Sequence, residues 1–141
     1  MTMSDVFSGF SASISAMAAE RKRMQVISSN ISNAGTVDES GPYVRKSVIF
    51  EEVFDEAQRS NIASGVRVKD VYEDRVSEHP IIHNPGHIAA DKEGFVKLPN
   101  VNIVQELVDM MIARRSYGAN VAAFQTWRSM LRDAISNIGT R

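Results

Sequence analysis

Cysteine is absent from this 141-residue sequence, which excludes disulfides, thiolate metal sites and a cysteine nucleophile. An excess of either charge is missing too. With 16 basic against 17 acidic side chains the net charge is −1, so a generally basic nucleic-acid binder is excluded and only a local patch stays open. Proline is scarce and confined to the middle, at Pro42, Pro80, Pro85 and Pro99. Val6 to Ala19 carries no charge, but serines interrupt it and it falls short of the roughly 20 apolar residues that a membrane span needs. Met1 to Asp5 lacks the basic segment of a signal peptide, so none is expected. What remains, at 43% hydrophobic and 23% charged residues, is the composition of one small folded domain.

The charges that are present divide the chain. Residues 1–34 hold three basic and two acidic groups, and residues 101–141 hold five and three; the segment between them holds eight and twelve. The expected organisation is an N-terminal axial helix over 1–34, a β/loop middle region over 35–100 and a C-terminal axial helix over 101–141.

In the first segment Met3, Phe7, Phe10, Ile14, Met17, Arg21, Met24 and Ile31 recur mostly at intervals of three and four. That is the stripe of an amphipathic helix from about Asp5 to about Asn33. Ser4 is placed to cap it, and Asn33-Ala34-Gly35 to stop it. Gly9, Ala12, Ala16, Ala18 and Ala19 add a small-residue surface that would let another helix approach closely. In the last segment Asn102 can cap a helix running from Ile103 to Ile138, with Gly139 ending it. Val104, Leu107, Val108, Met111, Val121, Phe124, Leu131, Ile135 and Ile138 repeat there at helical spacings.

The charge-free stretches of the two helices oppose one another if the pair is antiparallel, with Ala19 facing about Ser116, Val6 about Ser129, and Glu20 near Arg115. The predicted fold is therefore mainly α: long N- and C-terminal helices forming an antiparallel coiled-coil-like pair, with a small β/loop middle region. Two helices cannot bury so broad an apolar surface. Neighbouring subunits are expected to complete it through Phe7, Phe10, Ile14, Met17, Met24, Ile31, Val104, Leu107, Met111, Val121, Phe124, Leu131 and Ile135, and the ends to fold fully only on assembly.

In the middle, Tyr43–Phe50 and Gly65–Tyr72 read as strands and Glu51–Ala63 as a polar loop. His79, His83 and His87 are four residues apart. On a helix they would stack as metal ligands, but Pro80, Pro85 and Gly86 forbid that helix, so solvated loop histidines are expected and no metal or cofactor. No phosphate-cradling loop, nucleophile elbow or zinc-protease motif occurs, and an enzyme is not expected. Arg21-Lys22-Arg23 and Arg114-Arg115 are the compact basic groups, read as solvated helix faces rather than binding sites.

Ser28-Ser-Asn-Ile-Ser-Asn-Ala-Gly-Thr36, followed by Gly41-Pro42-Tyr43, resembles the N-terminal signature of bacterial flagellar rod, hook and hook-associated axial proteins. Asn30 and Asn33 form its core, and Thr36 and Tyr43 match its trailing positions. His83-Asn-Pro-Gly-His87 through Val101, and Val104 through Val121, are similar to the short proximal-rod members of that family. The resemblance implies a structural subunit of the flagellar drive shaft, exported through the type III apparatus and polymerised helically in the periplasm within the basal body. The implied partners are copies of itself, other rod proteins, membrane-ring and rod-adaptor proteins and the export apparatus, with no nucleic acid and no membrane insertion. The alternatives are a cytosolic coiled-coil adaptor or export chaperone, and a zinc-dependent enzyme using the central histidines.

Overall fold

The computed structural model describes residues 3–54 and 63–138, and the side chains of 9–54 and 65–137. Among the described residues, helix α1 spans Met3–Ser32 and helix α2 spans Ile103–Ile138, with six strands between them. The strands are β1 (Val37–Asp38), β2 (Gly41–Pro42), β3 (Lys46–Phe54), β4 (Ala63–Glu73), β5 (Ile81–His83) and β6 (Phe95–Lys97). They pair antiparallel as β1–β2, β3–β4 and β5–β6, giving three two-stranded sheets.

Both helices fall close to where periodicity puts them. Helix α1 already includes Ser4, which therefore lies inside it rather than capping it. At its end Asn33 turns its side chain back, Nδ2 donating at 2.8 Å to the Ser29 carbonyl, which also accepts the Asn33 N–H at 3.1 Å. Gly35 is not among the positive-φ glycines, which are Gly41, Gly65 and Gly94, so a side chain and not a left-handed glycine ends the helix. At α2 the cap is as expected. Asn102 Oδ1 accepts from the backbone N–H groups of Val104 (3.0 Å) and Gln105 (3.2 Å).

The helices run past each other in opposite directions. Asn30 meets Glu106, Arg23 meets Asp109, and the Phe10 and Phe124 rings stand 4.8 Å apart. Glu20, expected near Arg115, instead pairs with Arg23 one turn along its own helix at 3.9 Å. The small-residue side of α1 is met by Trp127 of α2 at Gly9 and by a hairpin of the same chain at Ala12. Gly65 of β4 lies directly on Ser15, and a Cβ there would also come within 3.6 Å of the Ala12 Cα. The Ser15 hydroxyl accepts from the Val66 N–H at 3.1 Å. Larger residues on either side would hold strand and helix apart.

The β3–β4 hairpin corrects one expectation. Glu51 to Phe54 belong to β3 and pair with Ala63 to Arg67, through irregularities after Ile49 and Val53. The glutamates gave this stretch a loop-like composition, yet a strand with one face open to water accepts them. Residues 55–62 lie outside the described residues. Among the described residues the buried apolar side chains are Ala19, Val26 and Ile27 on α1, Val96 on β6 and Ala113 on α2. No described helix is long and apolar enough to cross a membrane.

Candidate functional site

Where the helices meet the β region, a polar junction is buried among them. Asn30 has no exposed surface. Its Nδ2 donates to the Lys46 carbonyl (2.8 Å) and to Glu106 Oε2 (3.0 Å). Its Oδ1 accepts from the Lys46 N–H (2.9 Å) and from the Tyr43 hydroxyl (3.0 Å). A side-chain amide offers two donors and two acceptor positions, and here all four are filled. Aspartate would aim oxygen at the Lys46 carbonyl and the Glu106 carboxylate, and serine could not reach them. The amide thus holds Lys46, the first residue of β3, as a neighbouring strand would.

Glu106 is the charged partner of this arrangement, with a side chain 1% exposed. Arg45 Nε donates to its Oε1 at 2.6 Å, and Arg45 Nη1 reaches the Ser47 hydroxyl at 3.1 Å. A buried carboxylate persists only when paired and hydrogen-bonded, and Asn30 and Arg45 supply both. Asp109, one turn on, draws Arg23 (3.6 Å) and Arg45 (3.7 Å) toward it. The Arg45 backbone is fixed as well. Its N–H donates to Asn100 Oδ1 at 2.8 Å, and its carbonyl accepts from the Asp74 N–H at 2.7 Å.

The other signature residues close the turn after α1. The Thr36 hydroxyl donates to Asn33 Oδ1 at 3.2 Å. The backbone runs Thr36 N–H to Asn33 carbonyl (3.0 Å) and Tyr43 N–H to Thr36 carbonyl (3.1 Å). Asn30, Asn33, Thr36 and Tyr43 are therefore one connected group. Asn33 stops the helix, and Asn30 reaches out of it to position β3. Sequence reasoning missed Arg45, Asn100, Glu106 and Asp109. A signal for Glu106 was present, since its spacing to Ala113, Asn120 and Phe124 puts it on the inner face of α2.

The expected packing residues separate into two groups. Phe10, Met17, Met24, Ile31, Val121, Phe124 and Leu131 are half-buried. Val104 (71% exposed), Leu107, Met111 (69%), Ile135 and Ile14 are exposed. The Phe7 side chain lies outside the described residues. On α2 the expected stripe is really two stripes. At about 3.6 residues per turn Phe124 comes round to the side opposite Val104. Val104, Leu107, Val108, Met111 and Ile112, all exposed, form a continuous outward face, while Glu106, Ala113 and Phe124 face inward.

The three histidines go separate ways. His79 Nδ1 lies 2.7 Å from the Leu98 carbonyl, the His83 ring packs edge-on against Phe95 with centroids 5.1 Å apart, and His87 Nδ1 accepts from the Ala89 N–H at 3.1 Å. The described residues hold no group of three metal-ligating side chains.

The sequence matches two family models. Residues 10–37 match one described as flagella basal body rod protein, and residues 92–137 match one described as flagellar basal body rod FlgEFG protein C-terminal. The first contains Asn30, Asn33 and Thr36, and the second contains Glu106 and the outward face of α2. The flagellar basal-body rod protein FlgC of Salmonella typhimurium is 40% identical over 119 residues, covering 83% of this chain and 86% of that one. The chain belongs to the FlgC family of flagellar basal-body rod proteins. FlgC of Borreliella burgdorferi is 34% identical over 93% of this chain and 96% of its own length, and FlgC of Bacillus subtilis 35% over 92% and 95%. As a member of the FlgC family the chain is a structural rod subunit of the basal body, where it assembles with other basal-body components.

Proposed function

We propose that the chain is exported through the flagellar type III apparatus and polymerises helically in the proximal rod, between the membrane ring and the distal rod, through its terminal helices. Residues 1–34 and 101–141 act as axial helices that supercoil into an antiparallel coiled-coil-like pair, and residues 35–100 form the middle region that contacts adjacent rod proteins. The observation that carries this reading is the outward face of α2. Five large apolar side chains from Val104 to Ile112 stand open to water on the side away from α1. Such a contiguous exposed stripe marks a protein–protein contact. Phe10, Met17, Met24, Ile31, Val121, Phe124 and Leu131 pack within the pair, and Phe7, Ile14 and Ile135 extend the contact to neighbours. The Asn30, Asn33, Thr36 and Tyr43 group fixes the angle at which the middle leaves the helices.

The test is Leu107→Asp with Met111→Asp. Helix content and unfolding midpoint of the purified chain should stay near wild type, while the amount recovered in isolated basal bodies falls by about tenfold or more. Normal incorporation of the double variant would sink the proposal.

A further inference from the structure

Four cations sit at one level of the helix pair. Arg21 and Lys22 on α1 and Arg114 and Arg115 on α2 are all exposed, between the Arg23–Asp109 and Phe10–Phe124 contacts that set the register. None of them forms an ion pair with a described residue, because the acids at this level turn inward: Glu20, Glu106 and Asp109 are engaged with Arg23 and Arg45. Beside this belt is an open hollow of about 220 Å³ between the helices, walled by Ile14, Met17, Ala18 and Tyr117 and rimmed by Arg21. A largely apolar hollow edged by Arg21, with the other cations at the same level, suits an apolar knob that has a free carboxylate beside it.

The same chain carries such a knob. Val76, at 95%, is the most exposed of the described large apolar residues. It stands in a segment, Glu73 to Glu78, in which Glu73 pairs with Arg75 and Asp74 is bound into its own turn, so that Glu78 is the carboxylate left free beside the knob. The segment is firmly held. Asp74 accepts from the Val76 N–H (3.2 Å), the Ser77 N–H (3.0 Å) and the Ser77 hydroxyl (2.7 Å), and Asn100 Nδ2 donates to the Asp74 carbonyl (2.7 Å). A rigid loop presents its tip with little ordering left to lose on binding, which is the condition for a preorganised contact.

Building on the proposed polymerisation, we infer that the 73–78 loop of one copy docks its Val76 into the Ile14–Ala18–Tyr117 hollow of the next copy, with Glu78 set against the Arg114–Arg115 end of the belt. The loop hangs from Asn100, just before α2, and Arg114 lies about 17 Å along that helix from Ile103 at 1.5 Å per residue. Knob and hollow are therefore displaced along the axis. The contact is heterologous and propagates from copy to copy instead of closing a dimer.

Because the chain has no cysteine of its own, the contact can be tested by oxidative crosslinking in isolated basal bodies. Val76→Cys with Ala18→Cys should give dimers and longer ladders of this chain, and either single variant should give none. In a parallel arm, Arg114→Glu with Arg115→Glu should reduce incorporation by about tenfold, like charges now facing each other, and adding Glu78→Lys should recover most of the loss. Absence of the ladder when both single variants are present in basal bodies overturns the inference. So does a crosslinked dimer from Val76→Cys alone, which would mean a symmetric contact. Loss of incorporation on charge reversal that Glu78→Lys leaves unrepaired assigns the belt to a different partner and also overturns it. A wild-type chain missing from basal bodies would instead count against the rod reading itself.

Discussion

The two ends of the helix pair are built on different principles. Near the β region α1 and α2 are joined by buried polar groups whose directions and partners are all specified: Asn30, Glu106, Arg45 and the backbone of Lys46. Toward the chain termini, among the described residues, the helices share tilted rings at Phe10 and Phe124, with Trp127 lying over Gly9. No residue from Gly9 to Ala18, or from Arg114 to Asn137, is fully buried. The junction end is determined within the chain on its inner side and turns the Val104–Ile112 face outward, whereas the terminal end is only loosely covered, with Ile14, Met130 and Ile135 exposed. A junction made of directional bonds fixes a geometry, while a greasy, loosely covered end gains most from added contacts.

The strongest way to break this contrast is at adjacent residues of α2. Glu106→Ala leaves one Asn30 donor buried without a partner and leaves Arg45 only Asp109 and Ser47, and should destabilise the chain by about 3 kcal/mol. Leu107→Ala, one residue on and on the exposed face, should change stability by less than about 0.5 kcal/mol. Urea unfolding of both variants checks the pair, and equal losses would mean that the junction does not carry the fold. Next in size is Gly65→Ala. Its new methyl would meet Ser15 and push the hairpin off α1, at about 1–3 kcal/mol, and adding Ser15→Ala should return part of that loss.

A smaller effect of opposite sign sharpens the other half of the comparison. Gly118 stands inside α2 where a Cβ would meet nothing within 4 Å, so Gly118→Ala should stabilise the outer half of the helix by about 0.5–1 kcal/mol. Hydrogen exchange should slow between residues 114 and 130 and stay unchanged around residue 106. The least effect is expected in acid. The Ser77 hydroxyl and N–H hold the Asp74 carboxyl below the usual carboxylate range. A folded-state pKa lowered below 3.8 favours the fold above that pH and loses its contribution as pH falls further. Amide exchange in the 74–77 turn should therefore quicken below about pH 4, and Asp74→Asn should remove that pH dependence.

Much of the architecture was legible in the sequence, for reasons that particular residues make plain. Long proline-free stretches, the Asn102 cap and the Asn33 stop located both helices within a residue or two, and the matching charge-free stretches gave their register. The signature asparagines were recognised, but their action was only half read. Asn33 does end the helix, whereas Asn30 spends all its bonds outside it, on residues up to 76 positions away. Periodicity within one segment carries no information about such a convergence. The phase of α2 was misread because Val104 and Phe124 both fit helical spacings to their neighbours, although twenty residues carry one to the far side of the other. The strand continuation through Glu51 and Glu52 was missed because their composition suits a loop, and only pairing with β4 makes them a strand.

The span between Asn30 and Glu106 has a consequence for the order in which the molecule can take shape. A ring tied from positions 30, 45, 46 and 106 cannot close on any partial length that stops short of the second helix. A polypeptide paid out from either end therefore cannot close this ring until more than three-quarters of it is free, and then acquires its bend in a single late step.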